Sequence, residues 1–363
     1  MGIQTDILAT WMASGSQWPR AIRERRQVLA SHRWHGDGVA HDYFGCLAPP
    51  RFTGCRKLAG RYLTGQRIAA WVSRYGKPDI AHAHWGLHWQ SQRAIEVLSD
   101  LGVPVVLTEH SSMFFRDETQ CSRVIAHYRE AARSARVITA VSRSLALQMV
   151  SRTNISQIEV LANAIDPVFR PSEQESPVGK MKVMIVGTDP VKRPGLAIEG
   201  IRRFARDGHA VSVRVIGADA DVLARRIACA PGIDLLTAER LSPVELAAEF
   251  RTSDVVLCLS THETFGCAPV EAAMSGCAVI STRVGVLGDI LDRGCGLAVQ
   301  PNAEAVAQAL QEIWRGLDSW RSRRFEIAGI AHSMFGTEAI AGRLAQLYGS
   351  ALQIGGSCGV HMG

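Results

Sequence analysis

Residues 260–276 read STHETFGCAPVEAAMSG and lie between two short apolar runs, Asp254 to Leu259 and Ala278 to Thr282. Runs of that length, apolar on both sides and separated by a helix-length segment, are strands of a parallel sheet covered on both faces. Pro269 opens a short helix and Gly276 closes it, so the stretch is a strand, loop, helix and strand in succession. Glu263 and Glu271, with seven residues between them, then take different places. Glu263 sits on the loop at the rim of a cleft, and Glu271 in the first turn of the helix. A helix N-terminus offers free backbone N–H groups and the positive end of a dipole, which suits pyrophosphate. Phe265-Gly266 lets the backbone approach a ligand closely, because glycine has no Cβ. Carboxylates flanking such a site can accept hydrogen bonds from sugar and ribose hydroxyls.

The same alternation extends outward. Candidate strands are Asp79 to His84, Val103 to Thr108, Val137 to Val141 and Glu159 to Leu161, then Lys182 to Gly187, Val211 to Gly217 and Gly296 to Val299. Ser142 and Ser242 stand at N-cap positions, the second followed by Pro243 and by Glu245 in capping-box spacing. Between them Asp166 to Lys180, DPVFRPSEQESPVGK, holds three prolines, three acids and little to bury, and reads as an interdomain linker. The expected architecture is α/β: two Rossmann-like, doubly wound parallel-sheet domains facing a central cleft. Residues 1–165 form the first and 166–180 the linker. Residues 181–335 form the second, and 336–363 a C-terminal helix crossing back to the first domain, with a tail. The first 60 residues are the least legible, since Ile7 to Thr10 is a poor strand and Gly36-Asp37-Gly38 is a turn signal rather than a phosphate loop.

Composition narrows the function classes. At 363 residues and 47% hydrophobic the chain has enough apolar surface for two cores. No apolar run reaches the roughly 18 to 20 residues of a membrane helix. No secretory pattern opens the chain, and Asp6 stands where a myristoylation signal has Ser or Thr. Nine cysteines without a C-x-x-C pair argue against a disulfide framework and a structural zinc site, so the expected compartment is the cytoplasm. Residues 1–75 carry eleven Arg or Lys against four Asp or Glu, together with Trp11, Trp18, Trp34 and Trp71. That mixture suits either a solvated basic face or peripheral contact with anionic lipid on the inner face of a membrane. No nucleic-acid module accompanies the charge.

Several segments in order make a resemblance specific. His262-Glu-Thr-Phe-Gly266, with Glu271 and Gly276 behind it, resembles the E-x7-E signature of family 4 retaining glycosyltransferases (glycosyl transferases group 1), which have the GT-B fold. Pro78-Asp-Ile-Ala-His-Ala-His84, the strand Val105 to His110, Arg136 to Ser142, Val160-Leu-Ala-Asn-Ala-Ile-Asp166 and Lys192-Arg-Pro-Gly195 are similar to further segments of that family. The match runs over roughly residues 78 to 350.

The resemblance implies transfer of a sugar from a UDP- or GDP-sugar to a glycan or lipid-linked acceptor with retained anomeric configuration, in cell-surface polysaccharide or glycolipid synthesis. Glu271 would hold the ribose hydroxyls, and Glu263 with the backbone of Thr264, Phe265, Gly266 and Cys267 the donor sugar. Lys192, with Arg193 beside it and Gly187 and Thr188 before it, would face the diphosphate. His110 would lie against the transferred sugar from the other domain, and Glu109 is its neighbour with a rival claim to the cleft. His82 and His84, on one face of a strand, are acceptor-side candidates rather than metal ligands, since no Asp, Glu or Cys completes a local set with them and His88. The nucleotide sugar is a co-substrate and no metal or cofactor is required; Asp219-Ala-Asp221 reads as a helix start rather than a metal site. A base pocket is expected near Leu236 to Arg240. The chain departs from the family at Thr188, where arginine is usual, at Gly285-Val286, where two glycines are usual, at Ala164, and in lacking an N-terminal Gly-rich loop. A nucleotide-sugar epimerase and a non-catalytic nucleotide-sugar binder are the rivals. A dehydrogenase fails, because no G-x-G-x-x-G follows a strand.

Overall fold

The computed structural model describes residues 6–13, 32–36, 39–47, 53–173, 180–227 and 232–353. Its compact units are not contiguous in sequence: one draws on residues 1–109, 118–139 and 347–363, the other on 110–117 and 140–346. Residues 140–165 therefore group with the second unit, whereas the sequence reading assigned them to the first domain.

In the first unit, β1 (Asp6–Ala13), β2 (His32–Gly36) and β3 (Val39–Leu47) form a three-stranded sheet in the order β1-β3-β2. β1 runs parallel to β3 and β2 antiparallel to it, with Gly36 opposite Val39. The turn signal lies between these two strands, although Asp37 and Gly38 are outside the described residues. Ile7 to Thr10 is thus part of an eight-residue strand. β4 (Ala81–His84), β5 (Val105–Glu109) and β6 (Val137–Ala140) follow in sheet order, β4 parallel to β5. Every residue of β5 is buried, as its unbroken apolar run requires. Helices α1 (Thr53–Tyr75), α2 (Trp89–Asp100) and α3 (Glu118–Ala132) supply Ile68, Ile95 and Tyr128 to the buried interior.

In the second unit the two-residue β7 (Glu159–Val160) follows α4 (Arg143–Thr153), which Ser142 caps by accepting from the Leu145 N–H at 3.1 Å. A six-stranded parallel sheet holds the rest. Its strands are β8 (Met181–Val186), β9 (Val211–Ile216), β10 (Ile233–Ala238), β11 (Val255–Cys258), β12 (Ala278–Ser281) and β13 (Gly296–Ala298). They lie in the order β10-β9-β8-β11-β12-β13. The chain winds one way from β8 through β9 to β10 and then returns to β11 on the other side of β8. The loops leaving β8 and β11 consequently diverge, which opens a crevice beyond their carboxyl ends.

Connecting helices include α5 (Pro194–Arg206), α6 (Ala220–Ile227), α7 (Pro243–Arg251) and α8 (Cys267–Met274). After them come α9 (Ala303–Arg315), α10 (Arg324–Phe335) and α11 (Thr337–Gln353). α5 and α9 bury Ile201, Phe204, Leu310 and Ile313 against Val183, Val213 and Val255 of the sheet. The capping box of α7 is formed: Ser242 N–H donates to Glu245 and Glu245 N–H to the Ser242 hydroxyl.

Two expectations are corrected. β10 occupies Ile233–Ala238, so Leu236 to Ala238 are strand residues and not the loop expected to contact a base. The strand escaped notice because it is an edge, with Asp234 and Thr237 interrupting its apolar residues and partial exposure along its length. The linker also begins as packed chain. Phe169 is buried against Phe250, and Arg251 donates to the carbonyls of Val168 and Arg170. α11 is continuous from Thr337 to Gln353, and the boundary between the units falls inside it.

Candidate active site

The crevice in the second unit is built by the loops after β8 and β11. After β8, Gly187 takes φ +92°, a left-handed angle that glycine adopts without steric cost, and a Cβ there would lie 3.1 Å from Cγ of Lys192. A short 3-10 turn, Pro190–Lys192, then leads to Arg193, itself left-handed at φ 49°, before Pro194 starts α5. After β11, the Thr261 N–H donates to the Val191 carbonyl at 2.9 Å and stitches the two loops together. The Thr282 hydroxyl holds the Ser260 carbonyl at 2.8 Å.

This framework brings Lys192 Nζ to 2.5 Å from Glu263 Oε1, and the Ser260 hydroxyl donates to the same oxygen at 2.7 Å. Sequence reasoning placed Lys192 and Glu263 at one site and missed Ser260, a buried serine two residues past the strand. Arg193, expected beside Lys192, is positioned by its backbone, whose N–H donates to Pro190 O. Lys192 and not Arg193 pairs with Glu263. Thr188 is short where arginine was expected, and its hydroxyl accepts from the Asp219 N–H at 3.2 Å. Asp221 in turn accepts from the Thr237 hydroxyl, so the D-x-D sequence joins the start of α6 to its surroundings through the Asp219 backbone and the Asp221 carboxylate.

Gly266, at φ +103°, is the N-cap of α8. The helix starts at Cys267, two residues before Pro269, so Glu271 falls in its second turn and not the first. Because Pro269 has no N–H, the first three positions of α8 present the N–H groups of Cys267 and Ala268. Burial and the charge of Asp166 push the Glu271 carboxyl up to about 7. Asp166 is a neighbour that no local pattern signals. Gly285, at φ +62°, lies against the same loop: the following N–H, of Val286, donates to Phe265 O at 3.0 Å. The Phe265 ring is buried and meets Phe335 edge to face at 5.4 Å. Of Phe265, expected to help hold the donor, only the backbone therefore faces the loop surface. Thr264 is half-buried and Cys267 exposed.

His110 follows β5 and is half-buried, and Ser111 behind it caps the 3-10 turn Ser112–Phe115. Phe115 stacks on His262 at 5.1 Å with the rings 13° apart, which fixes this segment against the loop carrying Glu263. Burial holds His262 below the usual histidine range. Glu109 is fully buried beside Tyr128 and does not reach the surface. In the first unit, His82 Nε2 and Nδ1 bond Thr108 Oγ1 at 2.6 Å and the Tyr348 hydroxyl at 2.9 Å. Both ring nitrogens of His82, expected on the acceptor side, are thereby engaged inside the protein. His84 stacks on it at 4.3 Å, and burial lowers its pKa. Among the described residues no group of three or more His, Cys, Asp or Glu is placed to hold a metal ion.

Residues 180–315 match the model for glycosyl transferases group 1, and residues 11–169 the model for glycosyltransferase family 4. The chain belongs to the family 4, group 1 glycosyltransferases. A D-inositol 3-phosphate glycosyltransferase of Arthrobacter sp. (strain FB24) is 28% identical over 260 residues, 64% of this chain and 61% of that protein. Its namesake from Segniliparus rotundus is 25% identical over 311 residues, 76% of this chain and 67% of the relative. The chain thus spans about three fifths to two thirds of the length of these curated relatives. Among solved structures, sucrose-phosphate synthase from Thermosynechococcus elongatus superposes with a TM-score of 0.71 at 16% identity, covering 97% of this chain and 100% of the other. An alpha,alpha-trehalose 6-phosphate synthase from Burkholderia multivorans gives 0.68 at 11%, covering 99% and 100%. Likeness at such identities concerns the fold, and the fold is GT-B. The Lys192–Glu263 pair lies in the crevice beyond β8 and β11, and Cys267 at the start of α8 is within electrostatic reach of Glu271, Glu263 and Lys192.

Proposed function

We propose that this chain is a retaining glycosyltransferase that takes a UDP- or GDP-sugar and transfers the sugar to a glycan or lipid-linked acceptor. The observation that carries the reading is the meeting, at the point where the strand order reverses, of one lysine, the N-terminus of α8 and two carboxylates. As the glycosidic bond breaks, negative charge builds on the β-phosphate. Lys192, once drawn from Glu263 onto the phosphates, and the N–H groups of Cys267 and Ala268 stabilise it. The acceptor attacks from the face the diphosphate leaves, so no protein nucleophile is needed. In this proposal Lys192 is the counter-charge and no metal takes part. The names of the relatives make a phosphorylated inositol a reasonable first soluble acceptor to try.

Calorimetric titration with UDP, GDP and ADP tests the donor site, with Glu271→Ala as control. One nucleoside diphosphate should bind, and the substitution should abolish that binding; undiminished binding by the variant would refute the placement. The same titration carries a pH prediction. Ribose hydroxyls donate, so they favour the ionised carboxylate, and a Glu271 pKa of about 7 makes binding strengthen as pH rises through 7. Glu271→Gln should remove that step and leave only the titration of the phosphate. For stability the sign is opposite. The folded state binds the proton more tightly than the unfolded one, so this group's contribution falls as pH rises from about 4.5 to about 7.

Peripheral membrane contact completes the proposal. α1 contains five basic residues and no acid, and exposes Tyr62, Leu63 and Tyr75. Sedimentation with vesicles containing anionic phosphatidylglycerol should carry the protein down at low salt, and phosphatidylcholine vesicles should not. Equal sedimentation with both would count against an electrostatic contact.

A further inference from the structure

Two close donors to Glu263, the Lys192 ammonium and the Ser260 hydroxyl, reach the same oxygen, Oε1, which the Cys258 thiol approaches at the longer distance of 4.0 Å. The pair is built into the backbone and is not a chance meeting of two long side chains. The loops carrying it are joined at Thr261 and Val191, Thr282 fixes the Ser260 carbonyl, and the lysine stem runs along Gly187. Glu263 is nearly enclosed, its side chain 12% exposed, while that of Lys192 is 34% exposed and open to an incoming group. The cation assigned above to the diphosphate therefore already has an anionic partner, and a diphosphate entering the crevice competes with Glu263 for one ammonium while being repelled by its carboxylate.

From this geometry we propose that the Lys192–Glu263 pair is an exchangeable latch that makes the site favour a sugar-bearing donor over the bare nucleoside diphosphate. The inference rests on the nucleotide-sugar reading above. A complete donor takes Lys192 onto its phosphates and offers sugar hydroxyls to Glu263 in exchange. A nucleoside diphosphate takes Lys192 and leaves Glu263 with only neutral donors, the Ser260 hydroxyl and the distant Cys258 thiol. Once the sugar has left, Glu263 recaptures Lys192 and the product is expelled. One ion pair thus couples recognition of the two ends of the donor and sets the ratio of donor to product affinity.

The test is calorimetry on the full chain with UDP and GDP, and with UDP-glucose and GDP-mannose. Glu263→Gln removes the charge but keeps the shape, and its amide oxygen still accepts from Ser260. It should tighten binding of the nucleoside diphosphate by about threefold, the scale of a partly exposed ion pair. The affinity of the sugar-bearing donor relative to the diphosphate should fall. In a Lys192→Met background the same substitution should give no more than the loss of repulsion, a smaller gain. Unchanged or weakened diphosphate binding in Glu263→Gln overturns the latch. Failure of the broader reading looks different, because then the wild-type chain binds none of the nucleotides, or Glu271→Ala binds them as well as it does, and the latch falls with it.

Discussion

Alanine at position 285 is expected to unseat the loop that carries Glu263 and to abolish nucleotide binding. Gly285 has φ +62°, a conformation that costs an L-residue roughly 1–2 kcal/mol. The added methyl would also overlap the carbonyl oxygen of Phe265 and approach Cβ of Glu263 to 3.0 Å. The first of these neighbours is backbone and cannot swing aside. Displacing it strains the Val286 to Phe265 hydrogen bond and the seat of the Phe265 ring against Phe335, a rearrangement of roughly another 1–3 kcal/mol. Urea denaturation reads the stability and calorimetry the binding. Gly342→Ala is the matched control, because it lies in α11 with nothing within 4 Å of its would-be Cβ, and should gain up to about 1 kcal/mol. If Gly285→Ala were as stable as that control, the close approach would not constrain the loop.

Lys192→Ala should show the opposite division between stability and function. The lysine is partly exposed and its carboxylate partner keeps the Ser260 bond, so the urea midpoint should move by well under 1 kcal/mol. Turnover should fall on the order of 100- to 1000-fold, the usual consequence of removing one donor aimed at developing charge. The loss should appear in kcat as well as in kcat/KM, since the charge it meets is greatest in the transition state. A large drop in stability with an unchanged kcat would mean that Lys192 clamps two loops and does not stabilise a leaving group.

The parts of the molecule that could be read from sequence share a physical cause. β11 is buried at every residue and wholly apolar, β12 is so but for Ser281 at its end, and β8 is interrupted only by Lys182, so these runs announce themselves. β10 is an edge strand holding Asp234, and β1 to β3 carry Asp6, Asp42 and several histidines, so neither stands out from a loop by hydropathy. At the site, Glu263, Glu271 and Lys192 were legible because each lies just after a strand or in a short helix with a recognisable start. Ser260 and Asp166 were not. Their importance comes from which carboxylate they adjoin, and Asp166 is brought to Glu271 by long-range packing. Phe169 shows the same limit in reverse, since a phenylalanine among prolines and acids reads as linker until Phe250 is seen against it.

One consequence follows from the position of Cys267. Among the described cysteines the thiols of Cys121, Cys258, Cys277 and Cys295 are buried, and burial drives Cys277 up to about 12 and Cys295 to about 11, far from nucleophilic thiolate at neutral pH. Of the five cysteines whose burial the structure describes, only Cys267 is exposed, and it is the first residue of α8, one turn ahead of Glu271. Among these five, reagents that discriminate by accessibility are thereby directed to the mouth of the crevice, where burial and the charge of Glu271 raise the Cys267 thiol as well, so its labelling rate doubles as a footprint of a ligand there.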